Sequence, residues 1–454
     1  SADVAIDSNP LTIPAGVAVK FAVTVDGKNI REDEETTLQQ AVDAAAEGNT
    51  TITANKSFIV DGTVTIPSGK TITLTDEGKG LSVVFKNGFT GPAFRVEQGA
   101  ALILDGSFNF SCFRIANGSF AEVNGAMTLN GGTITRMSMR GSNRGEITVD
   151  GGSFTMGNGE LSSISASSAY CGAVYVKNGG TFAMNGGKIT GCMFKNQYSG
   201  AVALADGTMT MTDGTISGNT ASEYNAAGGV LVNGTSSLAM SGGTIADNTA
   251  KRGGGVCVRE NGKFTMSGGT ISGNKANSAG GGVYLSAHGD QMFMTGGSIR
   301  ENEAGYGGGL SIRSGNSGAN PNAAVYLLGG TISDNQATSG YPTDDSYSER
   351  LYCGNAIEQS GELYLDGTQM NVSGDIRVGC TTNFRTGAIE TNRYVTLVGA
   401  SDSMQNYELT SYDEESLDGR VVVAPGTITY GTETYSVADA EPYLSHFTHN
   451  HKEI

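Results

Sequence analysis

A chain of 454 residues with 68 glycines and 8 prolines has turns in abundance, yet no three-residue period accompanies the glycines, which excludes collagen and does not suit disorder. Its 28 basic and 45 acidic residues give a formal charge of -17, so nucleic-acid phosphates and anionic membranes would repel it. No run of about eighteen apolar residues occurs, so no membrane insertion is expected.

Ser1 opens no basic-then-apolar leader, which implies a removed signal segment or a piece of a longer protein. Residues 1–36 alternate in short β-like runs, such as Val17-Ala18-Val19 and Phe21-Ala22-Val23, and end in the charged patch Arg31 to Glu35. Thr37 and Gln40 then make a capping box, each side chain satisfying a free N–H of a helix's first turn. Leu38, Ala41, Val42 and Ala45 share one face, and Gly48 is the expected stop. An amphipathic helix just ahead of stacked strands reads as a plug over the apolar end of a solenoid.

Period-two runs follow at Thr51-Ile52-Thr53, Val64-Thr65-Ile66 and Ile72-Thr73-Leu74, punctuated by Pro67-Ser68-Gly69. Asp105, Asp150, Asp213 and Asp366 are expected to share one column of Asx turns. From Cys171 to Ala337 the repeat aligns position by position. Val174, Val202, Val230, Val256, Val283 and Leu310 mark a first strand, at intervals of 28, 28, 26, 27 and 27 residues. Met184, Met211, Met240, Met266, Met294 and Leu327 mark a second, and Ile189, Ile216, Ile245, Ile271, Ile299 and Ile332 a third. Three short strands per coil, each with its own apolar column, describe an all-β parallel solenoid.

Asn219, Asn248, Asn274, Asn302 and Asn335 each follow the third-strand isoleucine by three residues, a spacing that predicts a ladder of stacked amides. Cys192 holds the same slot one coil earlier. Residues 338–362 form a tyrosine- and acid-bearing insertion, and residues 401–454 read as a C-terminal cap unit with strands at Val421-Val422-Val423, Thr427-Ile428-Thr429 and Tyr435-Ser436-Val437. The expected organisation is therefore an N-terminal β segment over 1–36, a solenoid with its cap helix over 37–400, and the cap unit over 401–454.

The Ile-x-x-Asn-x-Ala and Gly-Gly-Gly-Val units resemble the repeats of the polymorphic outer-membrane proteins, although Ile stands here where that family uses Phe. The helix cap followed by Ile66-Pro67-Ser68-Gly69-Lys70-Thr71-Ile72 resembles the entry into pectate-lyase-like right-handed parallel β-helices. The resemblance implies a right-handed parallel β-helix, displayed on or secreted from a bacterial cell, with an adhesion role or activity on carbohydrate.

Chemistry is sparse. A glycan hydrolase needs carboxylates converging within a few ångströms, and the adjacent pair Asp344-Asp345 lies in the insertion, while His288 has no aligned acid. A polyuronate lyase would need Arg or Lys at the substrate carboxylate. Lys177, Arg259 and Arg313 share the outward column after the first strand, but Ser286 intervenes between the two arginines, which places them two coils or about 9.6 Å apart. Solvated outer-face charges are the plainer account. Tyr341, Asp344, Asp345, Tyr347 and Tyr352 form the candidate binding edge, joined by Arg259 and Arg313, since long loops on rigid scaffolds carry function. His446, His449 and His451 fit no metal-ligand spacing, and no metal or cofactor is expected. The six cysteines show no Cys-x-x-Cys, which speaks against structural zinc, and Cys353 and Cys380 lie one repeat length apart but in disagreeing registers, so free thiols are expected ahead of a bridge between them. The functional expectation is a monomeric, non-catalytic extracellular module recognising host glycoprotein or polysaccharide, with a carbohydrate-active enzyme and a rigid spacer as the competing readings.

Overall fold

The computed structural model describes residues 37–338, apart from 46, 61, 86–90, 112–117, 136–137, 140–144, 167–171, 196–197, 199, 224–225, 287 and 314–322, together with strands at Phe21–Val25, Lys28–Arg31 and from Ile357 onward. It forms two compact units, residues 1–192 and 193–454.

In the first unit the chain winds through parallel strands. First strands stack as Val64–Ile66, Phe94–Val96, Ala121–Val123, Ile147–Asp150 and Val174–Lys177. Second strands stack from Lys70–Thr75 through Ala101–Asp105 and Ala126–Leu129 to Ser153–Met156, and third strands from Ser82–Phe85 through Asn109–Ser111 and Thr133–Thr135 to Glu160–Ser162. Alternation puts every second side chain into the bore. Here that filling is aromatic: Phe58, Phe94, Phe108, Phe110 and Phe120 are all buried, and Phe154 stacks on Phe182 with ring centroids 5.1 Å apart.

The N-terminal end of this unit is closed as the sequence foretells. The helix spans Leu38–Ala44 with the Thr37–Gln40 capping box in place, and Leu38, Ala41 and Val42 are buried. It stops at Ala45 rather than Gly48, because Gly48, at φ 87°, already opens the strand Gly48–Ala54. Gln39 acts as a substitute strand: its Oε1 accepts from the Thr65 N–H at 2.6 Å and its Nε2 donates to the Thr65 carbonyl at 3.2 Å. Lys70 donates to the carbonyls of Val42 and Asp43, where the helix's negative end favours a cation. Phe21–Val25 pairs antiparallel with Gly48–Ala54, so the terminal edge is covered by a strand of opposite direction.

The second unit repeats more strictly. The predicted columns pair in register: Val202 with Val230, Val256, Val283 and Leu310 in turn; Met211 with Met240, Met266, Met294 and Leu327; Ile216 with Ile245, Ile271, Ile299 and Ile332. The expected three strands per coil gain a short fourth, seen at Thr249–Arg252, Lys275–Ala279 and Glu303–Tyr306, because the residues after each turn asparagine also pair with the next coil. Glu408–Ser411 and Val421–Val423, which the sequence assigned to a separate cap, pair in parallel with Asp375–Val378 and Val395–Val398, while Gly426–Tyr430 and Glu433–Val437 form an antiparallel hairpin.

The asparagine ladder is present. Asn248 donates its backbone N–H and its Nδ2 to Asn274 Oδ1, both at 3.0 Å, and a second Nδ2 proton to the Ile216 carbonyl at 2.9 Å. Asn274 and Asn302 repeat the pattern toward Asn302 and Asn335. Each amide is thereby paired in a place water hardly reaches, which suits Asn to the slot. The glycine before the first strands at Val230, Val256 and Val283 is part of the same device. At Gly255 an added Cβ would stand 2.6 Å from the Gly282 carbonyl oxygen and 3.1 Å from Asn274 Nδ2.

The proposed aspartate column does not form. Asp105 ends a second strand, beside Thr75, whereas Asp150 ends a first strand, beside Lys177. The Asx-Gly dipeptide looks alike at both corners, so spacing along the chain could not separate them.

Candidate functional site

The Val-x-Val first strands of the second unit bury both valines in the bore, and their middle residues face outward. Those outward residues are buried as well. Leu231, Cys257 and Tyr284 form a second apolar cluster with Ala227 and Ala279, against which Tyr198 and Tyr306 pack. This outer layer is built by the segments between the fourth strand and the next first strand, and it carries the charges of interest.

Arg259 ends the strand Val256–Arg259, and Asn233 stands beside it in the preceding coil, as the column analysis requires. It is not a solvated outer-face charge. Its side chain keeps only 14% exposure, its guanidinium carbon lies 5.3 Å from the Tyr198 ring centroid, and its Nη2 approaches the carboxylate of exposed Glu260 no closer than 3.8 Å. Its Nη1 is buried without a hydrogen-bond partner. A planar, weakly hydrated cation tolerates the ring face that Tyr198 offers, which explains how it can be covered at all.

Arg252, which the sequence did not single out, ends the short strand Thr249–Arg252 ahead of the strand Val256–Arg259, and sits 5.4 Å from the centroid of Tyr284. Arg313 donates its N–H to the Leu285 carbonyl, one coil beyond Tyr284. Burial pushes the Tyr284 hydroxyl up, and the positive charges of Arg252, Arg313 and Arg259 offset part of that rise. The signal in the sequence is the outward slot between Val283 and Leu285, held by Ala203, Leu231 and Cys257 in the three preceding coils and by tyrosine also at Tyr175, between Val174 and Val176.

The acids at this corner are already engaged. Asp290 closes the turn after Leu285: Oδ1 accepts from the Asn261 N–H at 3.0 Å, and Oδ2 from the Ser286 N–H and hydroxyl at 2.9 and 3.0 Å. Burial raises its carboxyl to about 7 against the pull of those bonds. His288 occupies the left-handed position of that turn, at φ 67°. Cys257 and Cys192 are free and buried, and burial pushes both thiols up to about 12, so neither offers a thiolate at neutral pH.

Lys177, in the first unit, is ion-paired to Asp150 at 2.9 Å. Burial works against ionisation of Asp150, but the hydrogen bonds from Lys177 and Asn178 and the lysine's charge prevail and hold its carboxyl below the usual range. Tyr341, Asp344, Asp345, Tyr347 and Tyr352 lie outside the described residues, as do the side chains of His446, His449 and His451. Among the described residues no group of three or more His, Cys, Asp or Glu is placed to hold a metal ion.

One further acid escaped sequence reading. Glu146 precedes the strand Ile147–Asp150 at the position held by Phe120 and Ala173 in the coils on either side. It is buried, and neither carboxyl oxygen closes a hydrogen bond of ordinary geometry. Burial raises its carboxyl to about 8, and the Phe120 N–H offsets only part of that.

No curated protein and no solved structure matches the chain. The repeat and its parallel, in-register stacking agree with the family comparison: residues 172–348 match the model described as the right handed beta helix region, and the fold is that of a right-handed parallel β-helix.

Proposed function

We propose that this β-helix is a non-catalytic recognition module, displayed on or secreted from a bacterial cell, that binds host glycoprotein or polysaccharide. The observation that carries the reading is the outward face of the second unit, where Arg259 and Arg252 lie on tyrosine rings beside the first strands. Aromatic and guanidinium groups on a rigid backbone supply recognition at small entropic cost, because the scaffold has already fixed them. The carboxylates nearest this face support binding rather than bond cleavage. Asp290 is tied into its turn, and Glu260 is exposed beside Arg259.

The test is to present the protein to a glycan and mucin array while incubating it with a panel of polysaccharides. The reading expects retention on glycans with no new reducing ends or unsaturated products. Turnover abolished by Arg259→Ala or Arg313→Ala would make it a carbohydrate-active enzyme instead. No retention and no turnover would leave a rigid spacer.

A further inference from the structure

We infer that Asn233 and Arg259 form a two-point subsite for a hydroxyl group of a neutral saccharide. This rests on the recognition reading above and specifies its ligand class. The two residues end the strands Val230–Asn233 and Val256–Arg259, and parallel pairing sets them opposite one another on adjacent coils. Alternation sends both side chains to the outward face, since Val232 and Val258 before them fill the bore. Asn233 keeps 8% exposure and the Arg259 side chain 14%, so the pair lies just beneath the surface.

Among the described residues, neither Asn233 Oδ1 nor Arg259 Nη1 closes a hydrogen bond, with the other or with a third group, although both atoms are buried. A buried acceptor and a buried donor left open on neighbouring coils each cost free energy. Their strands run about 4.8 Å apart. One oxygen atom making two hydrogen bonds of about 2.8 Å each closes a gap of that size. The rest of the guanidinium is engaged: Nη2 faces the Glu260 carboxylate at 3.8 Å, and the Tyr198 ring centroid lies 5.3 Å from the central carbon.

One donor set beside one acceptor decides the chemistry of the ligand. A carboxylate or sulfate would satisfy Nη1 but press a second acceptor against Asn233 Oδ1, and an ammonium would do the reverse. A hydroxyl accepts from Nη1 and donates its own proton to Oδ1. Glu260 offsets part of the Arg259 charge, and a chain of net charge -17 repels polyanions, so both effects favour a neutral saccharide over an acidic one. Water offers the same two functions, and stability tells the two apart. Removing an acceptor that nothing satisfies leaves the fold no weaker, whereas removing one that holds a bound water destabilises it.

The experiment is calorimetric titration of the full chain with galactotriose, mannotriose, triacetylchitotriose and trigalacturonate, the last being the acidic counterpart of the first. Wild type, Asn233→Leu, Arg259→Gln and Arg300→Gln are compared, the last altering a charge paired with Glu301 on a third strand. Melting temperatures are measured for every variant and confirm that each is folded. At least one neutral probe is expected to bind. Asn233→Leu and Arg259→Gln should each lose about tenfold in affinity, and Arg300→Gln should match wild type. Asn233→Leu should melt at or above the wild-type temperature. A lowered melting temperature with unchanged affinity in Asn233→Leu would mean an ordered water only and overturn the subsite. Trigalacturonate binding as tightly as the neutral probes would overturn the ligand class. Neutral binding that neither variant weakens would refute the subsite and leave the recognition reading standing. Silence from all four probes would also refute it, and the array result then decides the recognition reading separately.

Discussion

The two units answer the same corner in opposite ways. In the second unit the residue three past the third-strand isoleucine is asparagine, and before the first strands at Val230, Val256 and Val283 stands a glycine whose missing Cβ leaves room for that amide, as Gly255 does for Asn274, while Ala201 precedes Val202. In the first unit the corresponding turn positions are Ile164 and Cys192, both buried, and the residues before the first strands are Glu146 and Ala173. At three successive coils the amide ladder is thus met by glycine, at Gly229, Gly255 and Gly282, whereas an apolar turn admits a larger side chain. That admission is what leaves Glu146 in the interior, where neither carboxyl oxygen closes a hydrogen bond of ordinary geometry. Regularity in a repeat is thus a record of coupled positions rather than of function.

Breaking the ladder gives the largest expected effect. Asn274→Leu removes the acceptor of the Asn248 N–H and Nδ2 and the donor to the Ile245 carbonyl, three buried groups at once. A loss of about 4 kcal/mol or more is expected, read from the midpoint of denaturant unfolding followed by circular dichroism. A loss below about 1 kcal/mol would mean that the ladder only decorates the turns.

Next comes the pH dependence set by Glu146. Burial raises its folded carboxyl from the ordinary 4.5 to about 8, so the unfolded chain ionises first as pH rises. Its contribution is fully present below about pH 4.5 and is lost up to about pH 8, at no more than about 1.4 kcal/mol per pH unit. Unfolding midpoints at pH 5 and pH 8 should draw closer together in Glu146→Gln than in wild type. An unchanged interval would show that Glu146 ionises freely in the folded state.

Exchanging the residue before the first strand sharpens the contrast further. Gly255→Ala should destabilise by about 1–3 kcal/mol, since its Cβ has no free volume. Ala173→Gly, at the matching position in the first unit, should cost only about 0.5–1 kcal/mol. Both changes are read from melting curves, and equal costs would contradict the coupling. The smallest effect concerns the thiols. Cys192 and Cys257 should resist alkylation in the native protein at pH 8, checked by peptide mass mapping.

Much of this was legible in the sequence because in-register parallel stacking places like residues over like. The Val, Met, Ile and Asn columns needed no more than their spacing. The capping box was equally readable, since it depends on four adjacent residues. What escaped were features set by contacts across the surface layer. Arg259 reads as a solvated charge until Tyr198, from a distant turn, is laid over it. Arg252 lies outside the repeat's marked positions, and its partner Tyr284 occupies a slot that tolerates Ala203, Leu231 and Cys257. Asp105 and Asp150 have the same dipeptide context, and nothing local tells which corner of the coil each one turns.

The account's central claim is that recognition lies on the arginine and tyrosine face and that the repeat interior serves only to hold it. The most direct test is the affinity for a glycan retained on the array, measured at a temperature where Arg259→Gln and Asn302→Ala are both fully folded. The account predicts about tenfold weaker binding in Arg259→Gln with its melting temperature near that of wild type, and unchanged affinity with a lowered melting temperature in Asn302→Ala. Retained affinity in Arg259→Gln, or equal losses in the two variants, would contradict it.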